Sequence, residues 1–379
     1  MDFNFTQEQQ QFSDALRRWT EKDYSFDQRK KIVHSAAGVS AEAWATLAEL
    51  GMTALPVPEE QGGFNGSAVD MMVVMHEIGR GLVIEPYFAT VLGAEFLKQG
   101  GGHDGLLEQV AGGEIRLACA LGEKQARHDL FDIAVTAKAD GEGFVLNGTK
   151  TVVIHGGQAD YLIVSARSSG ARRDTDGISL FVVPADAAGV TRRDYRTIDC
   201  QRAADIDFVN VKVPASALLS KVGQGWGILD AVSDYGIALL CAEAVGAMEA
   251  LNGATLEYLK TRQQFGVPLG KFQALQHRMA EMYMQMEQAR SMATLVAVKV
   301  ASTDVAERRR TVSAAKARIG QAMKYVGQQA IQLHGGMGVT DELPAAHHFK
   351  RLTMIEATLG DTDHHLVRFT AQPDFRKTA

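Results

Sequence analysis

From Thr6 to about Gly112 the apolar residues recur at helical spacing, as in Phe12, Leu16 and Trp19 and again in Trp44, Leu47 and Leu50. Gly51 closes one such segment, and the Pro/Gly-rich stretch Pro56–Gly66 reads as a loop before an apolar helix from Val69 to Ile78. From about Leu117 the pattern changes to alternation of apolar and polar positions. Asp140-Gly141 and Asn147-Gly148 read as hairpin turns, and Asp160–Arg167, Gly177–Pro184 and Ala204–Pro214 read as further strands. After the loop Lys221–Gly227 the helical pattern returns in long Ala/Met/Leu/Gln-rich segments to about Leu333. A Gly-rich break and one last helix follow. In the segment Arg278–Met292, Met279, Met282 and Met286 at helical spacing read as helix-bundle core.

Helices, then strands, then helices place the chain in the α+β class, because clustered strands do not build a doubly wound nucleotide fold. The expected domains are 1–116 (helical), 117–222 (β) and 223–379 (helical). With 379 residues, 46% hydrophobic and 22% charged, the chain has the composition of an ordinary globular enzyme. A net charge of −6 argues against a nucleic-acid binder, and no apolar run reaches membrane-spanning length. The first residues show neither the basic start nor the apolar run of a signal peptide, and Cys119, Cys200 and Cys241 are far apart. A cytoplasmic address is the resulting expectation. Gly141–Gly148 imitates a dinucleotide fingerprint but opens no helix. His347-His348 and His364-His365 lack further ligands at metal spacing, so no metal site is expected.

Two motifs carry chemistry. The first runs from Arg262 through Gln264, Phe265, Gly266, Leu269 and Phe272 to Gln273; the second is Gln332, Gly335, Gly336 and Gly338. Arginine offers a fork of donors matched to phosphate oxygens, and a Gly-Gly pair lets backbone N–H groups approach an anion. In this order, behind a β domain, the motifs resemble those of the acyl-CoA dehydrogenases. The opening residues 1–12, the loop Leu50–Gly66 and the stretch Leu146–Arg167 resemble the same family. The resemblance implies an N-terminal helical domain, a middle β-barrel or sandwich, a C-terminal four-helix bundle, and FAD shared between chains. It implies that Arg262, Gln264, Phe265, Phe272, Gln273, Gln332, Gly335 and Gly336 hold the pyrophosphate and adenosine end of a neighbour's flavin. The substrate implied is an acyl-CoA thioester.

The chain departs from the family at the other half of the site. The two positions where family members carry the glutamate base hold Leu359 and Gly236. Val152 and Ile154 stand where a tryptophan and a threonine meet the flavin ring, and Leu121–Asp129 replaces the family's loop there. Asp361 and Asp363 stand where neutral groups meet the phosphates, and a carboxylate there is repelled. One reading is a small subunit resembling that of pimeloyl-CoA dehydrogenase and related sterol side-chain enzymes. It would donate its clamp to a paralogous large subunit in an α2β2 assembly. A second is a self-sufficient homo-oligomer whose base is Asp234, Asp361 or Glu356. A third is a flavin-free assembly protein of the same fold.

Overall fold

The computed structural model describes residues 5–373. Six helices come first: α1 (Gln7–Lys22), α2 (Phe26–His34), α3 (Ala41–Glu49), α4 (Ala68–Arg80), α5 (Tyr87–Gly100) and α6 (Asp104–Ala111). Seven strands follow: β1 (Leu117–Ala120), β2 (Thr136–Asp140), β3 (Gly143–Ile154), β4 (Tyr161–Arg167), β5 (Ile178–Pro184), β6 (Val190–Arg196) and β7 (Arg202–Pro214). Then come α7 (Trp226–Thr261), the short hairpin β8 (Gln263–Gln264) and β9 (Val267–Pro268), α8 (Gln273–Lys299), α9 (Val305–His334), α10 (Pro344–Ala357) and α11 (Thr362–Thr370). Where one last helix is expected there are two, because the chain turns sharply at Thr358–Asp361. Among the described residues no helix is long and apolar enough to cross a membrane.

The chain forms two compact units. One comprises 1–31, 68–83 and 237–379; the other comprises 32–67 and 84–236. In the helical unit, Thr6 and Gln9 exchange side-chain and backbone hydrogen bonds at 2.9 and 3.2 Å, a capping box that starts α1. Helices α4 and α7 touch backbone to backbone. A Cβ on Gly246 would lie 1.8 Å from the His76 carbonyl oxygen, and one on Gly79 would lie 2.0 Å from that of Glu243, so only glycine fits. Arg351 of α10 then reaches Glu243 of α7 with Nε and Nη2, at 2.5 and 2.8 Å, a buried bidentate pair. Met282 and Met286 are buried as bundle core, and Met279 is half-buried.

An ionic cluster ties α1, α4, α7 and α8. Glu77 accepts from Ser13, Arg17, His76 and Arg80, and His76 also bonds Glu249, which accepts from Arg290 at 2.8 Å. Burial opposes the charged His76 ring, but its bonds to Glu249 and Glu77 outweigh that and raise its pKa above the usual 6.5. Glu249 is lowered from 4.5 to about 2, chiefly by the His76 hydrogen bond. The raised His76 contributes stability that is full below about 6.5 and lost as pH rises through the folded value. The lowered Glu249 contributes stability that is present above about 4.5 and lost as pH falls to about 2. Denaturant titrations from pH 5 to 8.5 should therefore show an alkaline loss of stability that His76→Gln flattens; an unchanged pH slope in that variant would contradict this assignment.

The second unit holds one curled seven-stranded sheet in the order β1-β4-β2-β3-β7-β6, with β5 paired to β4. This curled sheet is the expected middle β domain. The β2–β3 hairpin turns at Gly141-Glu142, as expected for Asp140-Gly141. Asn147-Gly148 forms no turn. It is absorbed as a bulge inside β3, with Gly148 at φ 137° and the Asn147 side chain accepting from Asn210 N at 2.8 Å. A strand long enough to pair with both β2 and β7 leaves no room for a reversal there. Helix α5 packs along β1.

Candidate functional site

The two motifs meet in the helical unit. Tyr258, one turn before Arg262 on α7, stacks on His334 at the end of α9 with ring centroids 4.5 Å apart, and its hydroxyl donates to the His334 carbonyl at 3.3 Å. This contact joins the ends of α7 and α9, where the two motifs begin. Gly335 closes α9 at φ 59°, its N–H bonded to the Gln332 carbonyl. A Cβ on Gly335 or Gly336 would meet nothing within 4 Å, so both backbones face open space. Phe265 and Gly266, at φ 55° and 78°, are the two turn residues of the β8–β9 hairpin, the left-handed pair that such tight loops require. Phe265 is 89% exposed at the hairpin tip and meets Phe272 edge to face at 6.1 Å. Arg262, Gln264, Gln273 and Gln332 are all exposed. Among the described residues no carboxylate pairs with the Arg262 guanidinium, which suits an anion supplied from outside.

The base positions have a different character. Leu359, at φ 54°, and Gly360 form the turn between α10 and α11. Lys316 of α9 is buried beneath it and donates to the carbonyls of Ile355, Glu356, Thr358 and Gly360 at 2.8, 3.2, 2.8 and 2.9 Å. Burial lowers this lysine from 10.5 to about 8, against the pull of Cys241, Glu356 and Asp361. Asp361 is the N-cap of α11, accepting from His364 N at 2.8 Å. Glu356 accepts from Thr362 N at 3.0 Å and Thr362 Oγ1 at 2.8 Å and pairs with Lys324 at 3.0 Å. Burial raises its pKa, but those bonds outweigh it and leave Glu356 below the usual carboxylate value. Asp234 is buried on α7, in the other unit, as is Gly236. His365 bonds the Leu359 carbonyl at 2.9 Å, and His347 lies between Arg29 and the Asp341 carbonyl.

In the sheet unit, the loop at Leu121–Asp129 is pinned by a buried ion pair. Lys150 Nζ reaches Glu123 at 2.7 Å, Ser165 Oγ at 2.9 Å and the Leu121 carbonyl at 3.1 Å. Glu123 in turn accepts from Ala134 N and Val135 N. Val152, exposed at φ 54°, sits on a β3 bulge whose N–H is taken by Asp205 at 3.1 Å, and Ile154 is half-buried. The scaffold of this loop is thus firmly built, while the side chains at 152 and 154 are aliphatic and offer no donor. Lys316, Lys150 and Glu123 were not singled out from the sequence. The available signal was charge at apolar positions: Lys316 among Ala314, Ala315 and Ala317, and Lys150 on an inward position of an alternating strand.

Together the fold and this exposed, donor-rich corner define a helical–β–helical protein suited to hold a phosphorylated ligand. The chain matches the acyl-CoA dehydrogenase N-terminal domain over residues 6–103, the middle domain over 118–211 and the C-terminal domain over 223–370. It is 30% identical over 365 residues to the mitochondrial short-chain specific acyl-CoA dehydrogenase of Sus scrofa, covering 92% of this chain and 87% of that one. Butyryl-CoA dehydrogenase from Megasphaera elsdenii superposes with a TM-score of 0.89 at 27% identity, over 97% of this chain and 98% of that one. A variant of the Tcur3481-Tcur3483 steroid ACAD superposes at 0.88 with 28% identity, over 98% and 99%. The chain belongs to the acyl-CoA dehydrogenase family, oxidoreductases that depend on FAD. The clamp chemistry fits the phosphates of that cofactor. Residues 152 and 154 do not supply its ring with a donor.

Proposed function

We propose that this chain is the small subunit of a heteromeric acyl-CoA dehydrogenase, assembled as α2β2 with a paralogous large subunit that brings the catalytic acid. The observation that carries the proposal is the asymmetry of the site. The side chains of Arg262 and Gln332 are exposed and Gly335 and Gly336 border open space, while Leu359 and Gly236 occupy the base positions and Asp361 and Glu356 are committed to capping α11. A homo-oligomer needs both halves in one sequence; a heteromer needs each half once. The Tcur3481-Tcur3483 steroid ACAD, whose name joins two proteins, supports a paired arrangement.

In this reading FAD, with its ring held by the large subunit and its phosphates by this chain, would supply the hydride acceptor for an acyl-CoA thioester. The Arg262 fork and the open backbone at Gly336 would hold the pyrophosphate, and the Gln264, Gln273 and Gln332 amides would orient the adenosine end. Phe265 and Phe272 cover that end from water. No residue of this chain removes the α-proton. The sequence segments 1–116, 117–222 and 223–379 stand as its proposed domains, and three free thiols suit a cytoplasmic protein.

The test is amide replacement of the three available acids in the assembled enzyme. Asp234→Asn, Asp361→Asn and Glu356→Gln should each leave turnover within several-fold of wild type at equal flavin content. A true general base contributes about a hundred- to ten-thousand-fold. Collapse of turnover in a variant with normal FAD would name the base and establish the self-sufficient homo-oligomer instead.

A further inference from the structure

A cavity of about 660 Å³ opens in the helical unit among α1, α4, α7 and α8, within the size range of small-molecule sites, about 300–1,000 Å³. No residue of the clamp or of the α10–α11 turn lines it. Its apolar lining is Met72, Val73, Ala242, Val245 and Ala293, with the ionic cluster at one wall.

The valences left over on that wall decide what it would take. Glu77 already accepts from Ser13, from two nitrogens of Arg17, from His76 and from Arg80; Glu249 accepts from His76 and Arg290. The hydroxyls of Ser291 and Thr294 donate to carbonyls of their own helix. Glu77 is therefore filled at both oxygens, whereas Glu249 takes its bonds on Oε2 alone and keeps Oε1 open among the described residues. Arg17 and Arg290 use only Nε and Nη2 in these bonds, which leaves Nη1 of each with no acceptor among the described residues. Both arginines are partly exposed, at 41% and 39% of the side chain, so their spare donors are available to a ligand. Two guanidiniums balance two carboxylates in the lining, and protonation of His76 tips the wall positive. A wall with two spare guanidinium donors, facing an apolar floor, complements one anionic head on an aliphatic tail.

We infer that this cavity is a binding site for a linear aliphatic carboxylate, its tail on Met72, Val73 and Val245 and its head on Arg17 and Arg290. The site is independent of the flavin clamp and of the subunit role proposed above. Displacing one water-exposed methylene into such a floor tightens binding about fourfold.

Isothermal titration of the purified chain with sodium octanoate, sodium decanoate, 1-decanol and sodium acetate, below micellar concentrations, tests it. Decanoate should bind saturably at one site and about fifteenfold more tightly than octanoate. Decanol, lacking the charge, should bind at least tenfold more weakly than decanoate, and acetate should give no saturable heat. Ser291→Trp, at an exposed lining position, should fill the cavity and weaken decanoate at least tenfold while leaving the thermal midpoint in place. Arg290→Gln should weaken decanoate and leave decanol unchanged. Unsaturable decanoate heats, equal affinity for decanoate and decanol, or full decanoate binding in a folded Ser291→Trp variant would each overturn the assignment.

Discussion

Replacing Arg262 by alanine should weaken FAD retention in the assembled enzyme by about 10- to 150-fold, the equivalent of a charge-assisted contact of roughly 1.5–3 kcal/mol. The expected cost to the chain's own folding is close to nil. Arg262 is exposed and forms no ion pair among the described residues, so its removal orphans no carboxylate. The two effects should separate: flavin lost at a lower denaturant concentration or a smaller dilution, with the apo chain's unfolding midpoint unmoved. Arg262→Lys should recover only part of the affinity, because a point charge replaces a planar fork. Flavin retention unchanged in both variants would show that Arg262 does not meet the cofactor.

The opposite separation is expected at Lys316. Methionine fills much of the same volume but leaves three inward carbonyls, those of Glu356, Thr358 and Gly360, without their donor, the Ile355 carbonyl keeping Thr358 N. Each buried acceptor left unpaired costs about 1 kcal/mol or more, so Lys316→Met should lose about 3 kcal/mol of stability. The loss should be local at first. Amides of the α10–α11 turn, above all Thr358 and His365, should exchange faster well before global unfolding. Protection at the turn equal to wild type would mean that the carbonyls find other partners and that the lysine is not what shapes it.

How much of this was legible in the sequence varies with the signal. Helical spacing at Leu16 and Trp19 and alternation in β4 and β7 come from burial on one face, so those elements could be read directly. Strand β6, Val190–Arg196, could not: it is an edge strand, mostly exposed and rich in charge, and it exists because β7 offers it a ladder. Asn147-Gly148 has the composition of a turn, but the bulge it forms is decided by the pairing of β3 with β7, which lies more than sixty residues away. The residues of the proposed clamp stand out in the sequence because arginine and paired glycines have few substitutes for holding phosphate. That Asp361 and Glu356 would be capping groups was not readable, since it depends on the turn at Leu359-Gly360 and on Lys316 below it.

The most direct measurement is flavin stoichiometry. The chain should be expressed alone and together with a paralogous chain that carries an acid at the position matching Leu359. The purified products are then assayed for FAD per chain and for oxidation of acyl-CoA substrates. Proposed as the small subunit, this chain should come out colourless and inactive alone, and should yield about one FAD per pair of unlike chains when co-purified. One FAD for every copy of this chain in isolation, with dehydrogenase turnover, would contradict the division of the site between two proteins.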